Sequence, residues 1–359
     1  MTIEIRPLLV PRTADAPDAA QFAEQQDLAN AFEREVWGND DFAITVQAAL
    51  PEYLDEQFTR RLGFTAHEGD RMVGRGVVGI ELDEGAKSSW CSIGVVADRR
   101  GEGIGTLLLR HAEELSIAEG RPVVRSYTQH SVESVTIAAE LLSAATGGPV
   151  IPADDSGVRF FLEHGYVLAQ TERTNRCLVD EIADDLPALV EDGSRRAGAD
   201  YELRFWFGET PEDLLESIAA AHEHMALDVP AGSLLVDAER WTPERVQSRE
   251  RVLIDGGDRP LSVAAVERST GQVAGYSEIM LADGKTTGEQ YDTLVLSGHR
   301  GHGLGLWMKA ANLQRLRELA PERTAIYTWN ADENDHMLAI NDRLRFRVVG
   351  YTADWQREL

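Results

Sequence analysis

One stretch of this chain is written twice. Val95-Val96-Ala97-Asp98-Arg99-Arg100-Gly101-Glu102-Gly103-Ile104-Gly105 recurs, glycine for glycine, as Val295-Leu296-Ser297-Gly298-His299-Arg300-Gly301-His302-Gly303-Leu304-Gly305. An apolar, strand-like run leads into each copy. An amphipathic helix follows, marked by Ile104, Leu107, Leu108, Ala112 and Leu115 in one and by Leu304, Trp307, Met308 and Ala311 in the other. A repeat of strand, glycine turn and helix restricts the chain to two copies of one supersecondary plan. Its 359 residues suit two domains better than one core.

The segment Glu191-Asp192-Gly193-Ser194-Arg195-Arg196-Ala197-Gly198-Ala199-Asp200 lacks an apolar period, so the expected division is a domain over 1–185, a linker over 186–200 and a domain over 201–359. In the second half a strand is predicted at Tyr201 to Trp206. A helix opened by the capping pattern Thr210-Pro211-Glu212-Asp213 follows, then another at Thr242-Pro243-Glu244. A hairpin joining Leu261 to Arg268 and Gln272 to Leu281 precedes the strand that feeds the second glycine turn. Extra residues near His130 to Val150 lengthen the first copy.

Composition narrows the function. No apolar run approaches the ~20 residues of a membrane helix, and the N-terminus Met1-Thr2-Ile3-Glu4-Ile5-Arg6 lacks an export signal. The expectation is a soluble, cytoplasmic protein, monomer or homodimer, with Cys91 and Cys177 reduced and no metal site. A net charge of -26 repels nucleic-acid backbones and anionic membranes, whereas a cationic amine is drawn in.

The pattern Arg-x-x-Gly-x-Gly at the entrance of a helix leaves backbone N–H groups pointing outward, reinforced by the helix dipole. That is a pyrophosphate cradle, with glycine allowing close approach and positive φ. No Lys-Ser/Thr pair follows the glycines as in a P-loop, and Gly-x-Gly-x-x-Gly is not satisfied.

At these residues the chain resembles the GNAT acetyltransferase superfamily, and both halves carry its Arg/Gln-x-x-Gly-x-Gly/Ala signature. The second half adds Thr328-Trp329-Asn330-Ala331-Asp332-Glu333-Asn334, then Met337 to Asn341 and Phe346, with Arg345 where the superfamily has glycine. The first half has Phe160-Phe161-Leu162-Glu163-His164-Gly165-Tyr166 in the equivalent place. The resemblance implies a mixed α/β fold: two GNAT-type domains, each a twisted, mostly antiparallel mixed sheet flanked by helices, with splayed fourth and fifth strands. It implies acetyl-CoA as cofactor, held by Val95, Val96, Arg100, Gly101, Gly103, Gly105 and Thr106 in one copy. In the other the residues are Val295, Leu296, Arg300, Gly301, Gly303, Gly305 and Asn334.

The tyrosine that often protonates the departing thiolate is replaced by Phe161 and Asn341, so Asn341 is a candidate hydrogen-bond donor. Glu289, eleven residues before Arg300, and Glu278, which strand alternation would point into a cleft, are candidate bases. Asp292 reads as structural, and His222-Glu223-His224 as solvated histidines facing different ways on a helix. Because the first copy has Ser89, Phe161 and an insertion, chemistry is expected in the C-terminal copy. The resulting expectation is an N-acyltransferase moving acetyl from acetyl-CoA to a small primary amine, with a basic peptide kept open as acceptor. The alternative is an acyl-CoA-binding sensor or scaffold with decayed centres.

Overall fold

The computed structural model describes residues 2–228 and 231–359, the side chains of 226–228 excepted. The chain alternates helix and strand in two parallel series. The first runs β1 (Ile3–Pro7), α1 (Ala20–Trp37), α2 (Val46–Leu54), β2 (Thr59–Glu68), β3 (Arg71–Glu81), β4 (Ser88–Val95), α3 (Ile104–Ala118) and β5 (Val123–Ser131). It continues with α4 (Val132–Ile137), β6 (Leu141–Ala144), β7 (Gly147–Pro152), α5 (Ser156–Glu163) and β8 (Val167–Leu178). The second begins with α6 (Val179–Ile182), α7 (Leu186–Ala197), β9 (Tyr201–Phe207), α8 (Leu215–Asp228), α9 (Pro243–Asp255), β10 (Asp258–Glu267) and β11 (Val273–Ala282). It ends with β12 (Thr287–Val295), α10 (Leu304–Leu319), β13 (Ala325–Ala331), α11 (Asp335–Arg343) and β14 (Arg347–Glu358).

The chain forms two compact units whose borders are not those expected from composition. Unit 1 takes Met1–Thr171, Ala231–Ala238 and Tyr351–Leu359; unit 2 takes Glu172–Pro230 and Glu239–Gly350. The expected linker, 186–200, is mostly helix α7. Its Leu186, Gly193 and Ala197 are buried and Leu189 and Val190 pack on the cores of unit 2. This stripe at helical spacing was masked by the charged residues between its members.

In unit 1 the sheet order is β1-β2-β3-β4-β5, with the C-terminal strand β14 beside β5, where Leu359 N–H donates to Pro122 O at 2.8 Å. In unit 2 residues 172–178 of β8 run antiparallel to β13, followed by β12, β11, β10 and β9. The closing strand of unit 1 therefore comes from the chain's end, and that of unit 2 from its middle. The segment 231–238 belongs to unit 1 through Asp237, whose carboxylate accepts from Lys87 N–H (2.9 Å), Ser88 N–H (2.8 Å) and Ser88 Oγ (2.6 Å) at the start of β4.

The feature that positions a site is the parting of two parallel strands. β4 pairs with β5 over Ser88–Trp90 and β12 with β13 over Thr287–Glu289, so beyond these residues each fourth strand parts from its parallel neighbour while staying paired on its other side up to the glycine turn. The expected splay is present in both units. The extra length of the first copy is α4 with the hairpin β6–β7, whereas in unit 2 β13 is followed at once by α11.

Candidate active site

Each glycine turn divides its labour among three glycines. Gly101 and Gly103 have φ of +78° and +84°, Gly301 and Gly303 +88° and +73°, a region that L side chains rarely adopt. The third glycine serves packing, since a Cβ at Gly105 would meet Phe160 at 3.2 Å and one at Gly305 would meet Ile340 at 3.1 Å. The signature arginines brace the turns: Arg100 Nε donates to Val95 O at 2.9 Å and Arg300 Nε to Val295 O at 3.2 Å. Arg100 also reaches Glu35 at 2.6 Å.

Alternation along the strand assigns the backbone groups. Val96 N–H donates to Val73 O (3.0 Å) and Leu296 N–H to Ala274 O (2.9 Å), so these two amides are committed to the sheet. By the period of two, Ile93 and Val95 in unit 1, and Thr293 and Val295 in unit 2, turn their N–H groups toward the gap. Of the expected pairs Val95-Val96 and Val295-Leu296, Val96 and Leu296 therefore have no amide turned to the gap.

Around the turn the units diverge. In unit 1 nothing lies within 4 Å of a Cβ built on Gly101 or Gly103, so the cradle is open. From it a cleft of about 1020 Å³ runs past Thr106, Phe160 and His164 to a wall formed by Glu33, Glu52, Arg61, Arg75, Trp90, Ser92 and Tyr127. Thr106 Oγ1 lies 3.0 Å from His164 Nε2. Tyr127 is 41% exposed as a residue, but loss of water around its phenol, with the Glu33 carboxylate, raises it against Arg75 and a hydrogen bond with Ser92. Burial also raises Glu52, against Arg61, its partner at 2.7 Å. These wall residues escaped the sequence reading because they come from α1, α2, β2, β3, β4 and β5, and only the fold gathers them. Phe161, in the position of the missing tyrosine, is buried and stacks on Trp355.

In unit 2 a Cβ on Gly301 likewise meets nothing within 4 Å, but the position of Gly303 is covered. The Arg196 side chain lies against Gly303, its Cδ 3.2 Å from where a Cβ would stand. Helix α10 is buried from Leu304 to Leu313, whereas Thr106 is half-buried and Leu107 exposed on α3. Glu278, an expected base, is buried in an ion pair with Arg249 of α9 at 2.6 Å, and Ser262 Oγ also donates to it. Asn341 is buried too: its Oδ1 accepts from Lys309 Nζ at 2.7 Å and its Nδ2 donates to Asn330 Oδ1 at 2.6 Å. Asn334 caps α11, accepting from Met337 N–H. Glu289 sits half-buried at the last paired position of β12, the end away from the glycine turn, where burial raises its carboxyl.

Two further expectations change, those for His222 and Thr210. His222 is buried, stacked on Trp241 and 3.0 Å from Tyr276 Oη, while Glu223 and His224 are exposed. The same cluster holds Asp292, which accepts from Tyr276 Oη at 2.7 Å. Burial opposes its charge, yet His222, Arg249 and Tyr276 outweigh that and bring it to about 2, in keeping with a structural role. Thr210 does not cap a helix; its N–H and hydroxyl both go to Glu250. Its side chain was spent on tertiary structure. Burial pushes the thiols of Cys91 and Cys177 up to about 12, and both are free. Among the described residues no cluster could hold a metal ion, and no helix is long and apolar enough to cross a membrane.

Residues 25–134, within unit 1, match the Acetyltransferase (GNAT) family. No curated protein matches the chain. Among solved structures, a tandem GNAT protein from the clavulanic acid biosynthesis pathway is 21% identical, with a TM-score of 0.74 over 99% of this chain and 98% of that one. The chain carries the tandem GNAT fold. A GCN5-related N-acetyltransferase from Sphaerobacter thermophilus shares it at 17% identity and TM-score 0.58, covering 99% of this chain and 95% of that one. The fold also matches a GCN5-related glucosamine N-acetyltransferase region of a fungal multi-domain enzyme, at 14% identity and TM-score 0.60. That match covers 99% of this chain but 38% of the fungal one.

Proposed function

We propose that unit 1 transfers an acetyl group from acetyl-CoA to a primary amine, and that unit 2 serves as a structural partner. The observation that carries this reading is the open cleft of unit 1, which joins the glycine cradle to an acidic and aromatic wall. This reading departs from the expectation that the C-terminal copy does the chemistry. There Arg196 covers Gly303, Arg249 pairs with Glu278 and Lys309 bonds to Asn341, which supports placing the chemistry in unit 1.

The residues of unit 1 fit a CoA-type ligand: two positive-φ glycines leave space that a Cβ would fill, and helix α3 starts at their edge. Acetyl-CoA supplies an activated thioester. The amides of Ile93 and Val95 would hold its pantetheine arm as an added strand and polarise the carbonyl. Glu33, which lines the cleft, would accept the proton that the amine loses as its nitrogen bonds to the acetyl carbon. The carbon–sulfur bond breaks, the sulfur leaves as a thiolate that solvent protonates, and the products are an amide and a thiol. A thiol of pKa ~8.5 departs without a dedicated acid, which makes Phe161 tolerable in the tyrosine position.

Calorimetric titration of the full chain with acetyl-CoA tests the reading. Gly103→Glu should abolish binding by setting a carboxylate in the cradle, whereas Gly103→Asn, which tolerates positive φ, should retain it. Undiminished binding by Gly103→Glu, or none by the intact chain, would overturn the proposal.

A further inference from the structure

Among the described residues, Arg75 is a buried cation without an ion-pair partner. It is 7% exposed, lines the cleft, and is held by neutral groups: Nε donates to Gln25 Oε1 at 3.0 Å and Nη1 to Ser92 Oγ at 3.5 Å. Nη2 donates to no group among the described residues. The other arginine of the wall, Arg61, is neutralised by Glu52, and in unit 2 Arg249 is neutralised by Glu278. A guanidinium withdrawn from water with its charge unbalanced costs stability unless an anion joins it.

The fold does not require this arginine. Gly74 pairs with Val95 and Gly275 with Val295, so the residue of unit 2 in the place of Arg75 is Tyr276. In unit 1 the cross-strand partner of Arg75 is Gly94. Phe32 of α1 closes over that glycine. Along the same wall stands Tyr127, which feels both the Glu33 carboxylate and the Arg75 guanidinium. Glu33, Arg75 and Tyr127 all line the same cleft.

We infer that the acceptor of unit 1 carries a carboxylate as well as its amine, as an amino acid does, with Arg75 anchoring the carboxylate and Glu33 facing the amine. This rests on the reading of unit 1 as the acetyl-transfer site. A guanidinium fork matches a carboxylate with two parallel hydrogen bonds. A zwitterion also enters without opposing the chain's net charge of -26, whereas a purely anionic acceptor would be repelled.

The test supplies acetyl-CoA to the full chain with a panel of proteinogenic amino acids, β-alanine and γ-aminobutyrate, each beside its primary carboxamide, and follows thiol release. The best acid should exceed its carboxamide by about 10- to 100-fold in kcat/KM, the range expected of a hydrogen bond to a charged group. Arg75→Gln should erase that preference by raising KM for the acid, with the carboxamide rate and the Kd for acetyl-CoA unchanged. Arg75→Lys should restore part of it. Carboxamides as good as acids, an equal loss on both classes, or a weakened Kd for acetyl-CoA in Arg75→Gln would overturn the inference and leave acetyl transfer standing. If nothing is acetylated, calorimetry of the panel in the presence of CoA separates the two ideas. Acids bound by the wild type and not by Arg75→Gln keep the acceptor class and sink the transfer reaction; no acid bound sinks the acceptor class.

Discussion

Arg196 lies against Gly303, so that a Cβ at this glycine would stand 3.2 Å from Arg196 Cδ and 3.4 Å from its Cβ. The same glycine in unit 1, Gly103, has nothing within 4 Å. Two turns with one sequence pattern therefore offer different surfaces, and the difference is set by a helix from outside the repeat.

Substitution at Gly303 should accordingly act on stability and not on ligand binding. Gly303→Ala places a side chain at φ +73° and forces Arg196 to shift, at a cost of about 1–2 kcal/mol. Denaturant unfolding should show that loss while the Kd for acetyl-CoA is unchanged. A variant as stable as wild type that no longer binds acetyl-CoA would return the cofactor to unit 2.

Glu278→Gln should behave as the breaking of a buried ion pair, because Arg249 is left withdrawn from water. A loss of about 3 kcal/mol in unfolding free energy is expected, with acetyl transfer by the folded enzyme unimpaired. Glu33→Gln should show the opposite profile, a kcat reduced about 100-fold at unchanged Kd for acetyl-CoA and unchanged melting temperature. Equal activity in Glu33→Gln would remove it as the base.

Lys309 makes stability depend on pH. It is 1% exposed, and burial lowers its ammonium from 10.5 to about 7. Between those values the unfolded chain keeps a proton that the folded chain has released, so stability rises with pH across the window. It is least below the folded value, where the charge must be buried. Urea unfolding at about pH 7 and about pH 9 should show that rise in the wild type and a flatter response in Lys309→Met. An identical slope in both proteins would show that Lys309 keeps its proton throughout.

Arg345 has a φ of +58°, and among the described residues it alone does so without being glycine. Its ion pair with Asp185 joins two side chains nearly half exposed, and such pairs contribute little. Arg345→Gly should raise unfolding free energy by about 0.5–1 kcal/mol, the relief of the left-handed conformation less the entropy of a freer unfolded chain. A melting temperature below that of the wild type would show that the Asp185 pair outweighs the strain.

Local interactions explain what could be read in advance. The glycine turns, the strand before and the helix after each, and the hairpin of β10 and β11 follow from side-chain periodicity and from backbone angles that only glycine adopts readily. The splay followed from the resemblance those turns carry. Helix α7 was missed because its buried face, Leu186 to Ala197, is interrupted by Glu191, Asp192, Arg195 and Arg196, which reach solvent or one another.

What the chain's order alone determined is the repeated plan of two glycine-turn units, since each turn is encoded by neighbouring residues. What packs around each turn was decided by tertiary structure. Arg196 comes to Gly303 from more than a hundred residues away, Arg249 reaches Glu278 from another helix, and Arg75, Ser92 and Tyr127 meet only when three strands align. Strand alternation could place Glu278 on a face of the sheet, but whether that face is a cleft or a buried ion pair depends on what packs over it.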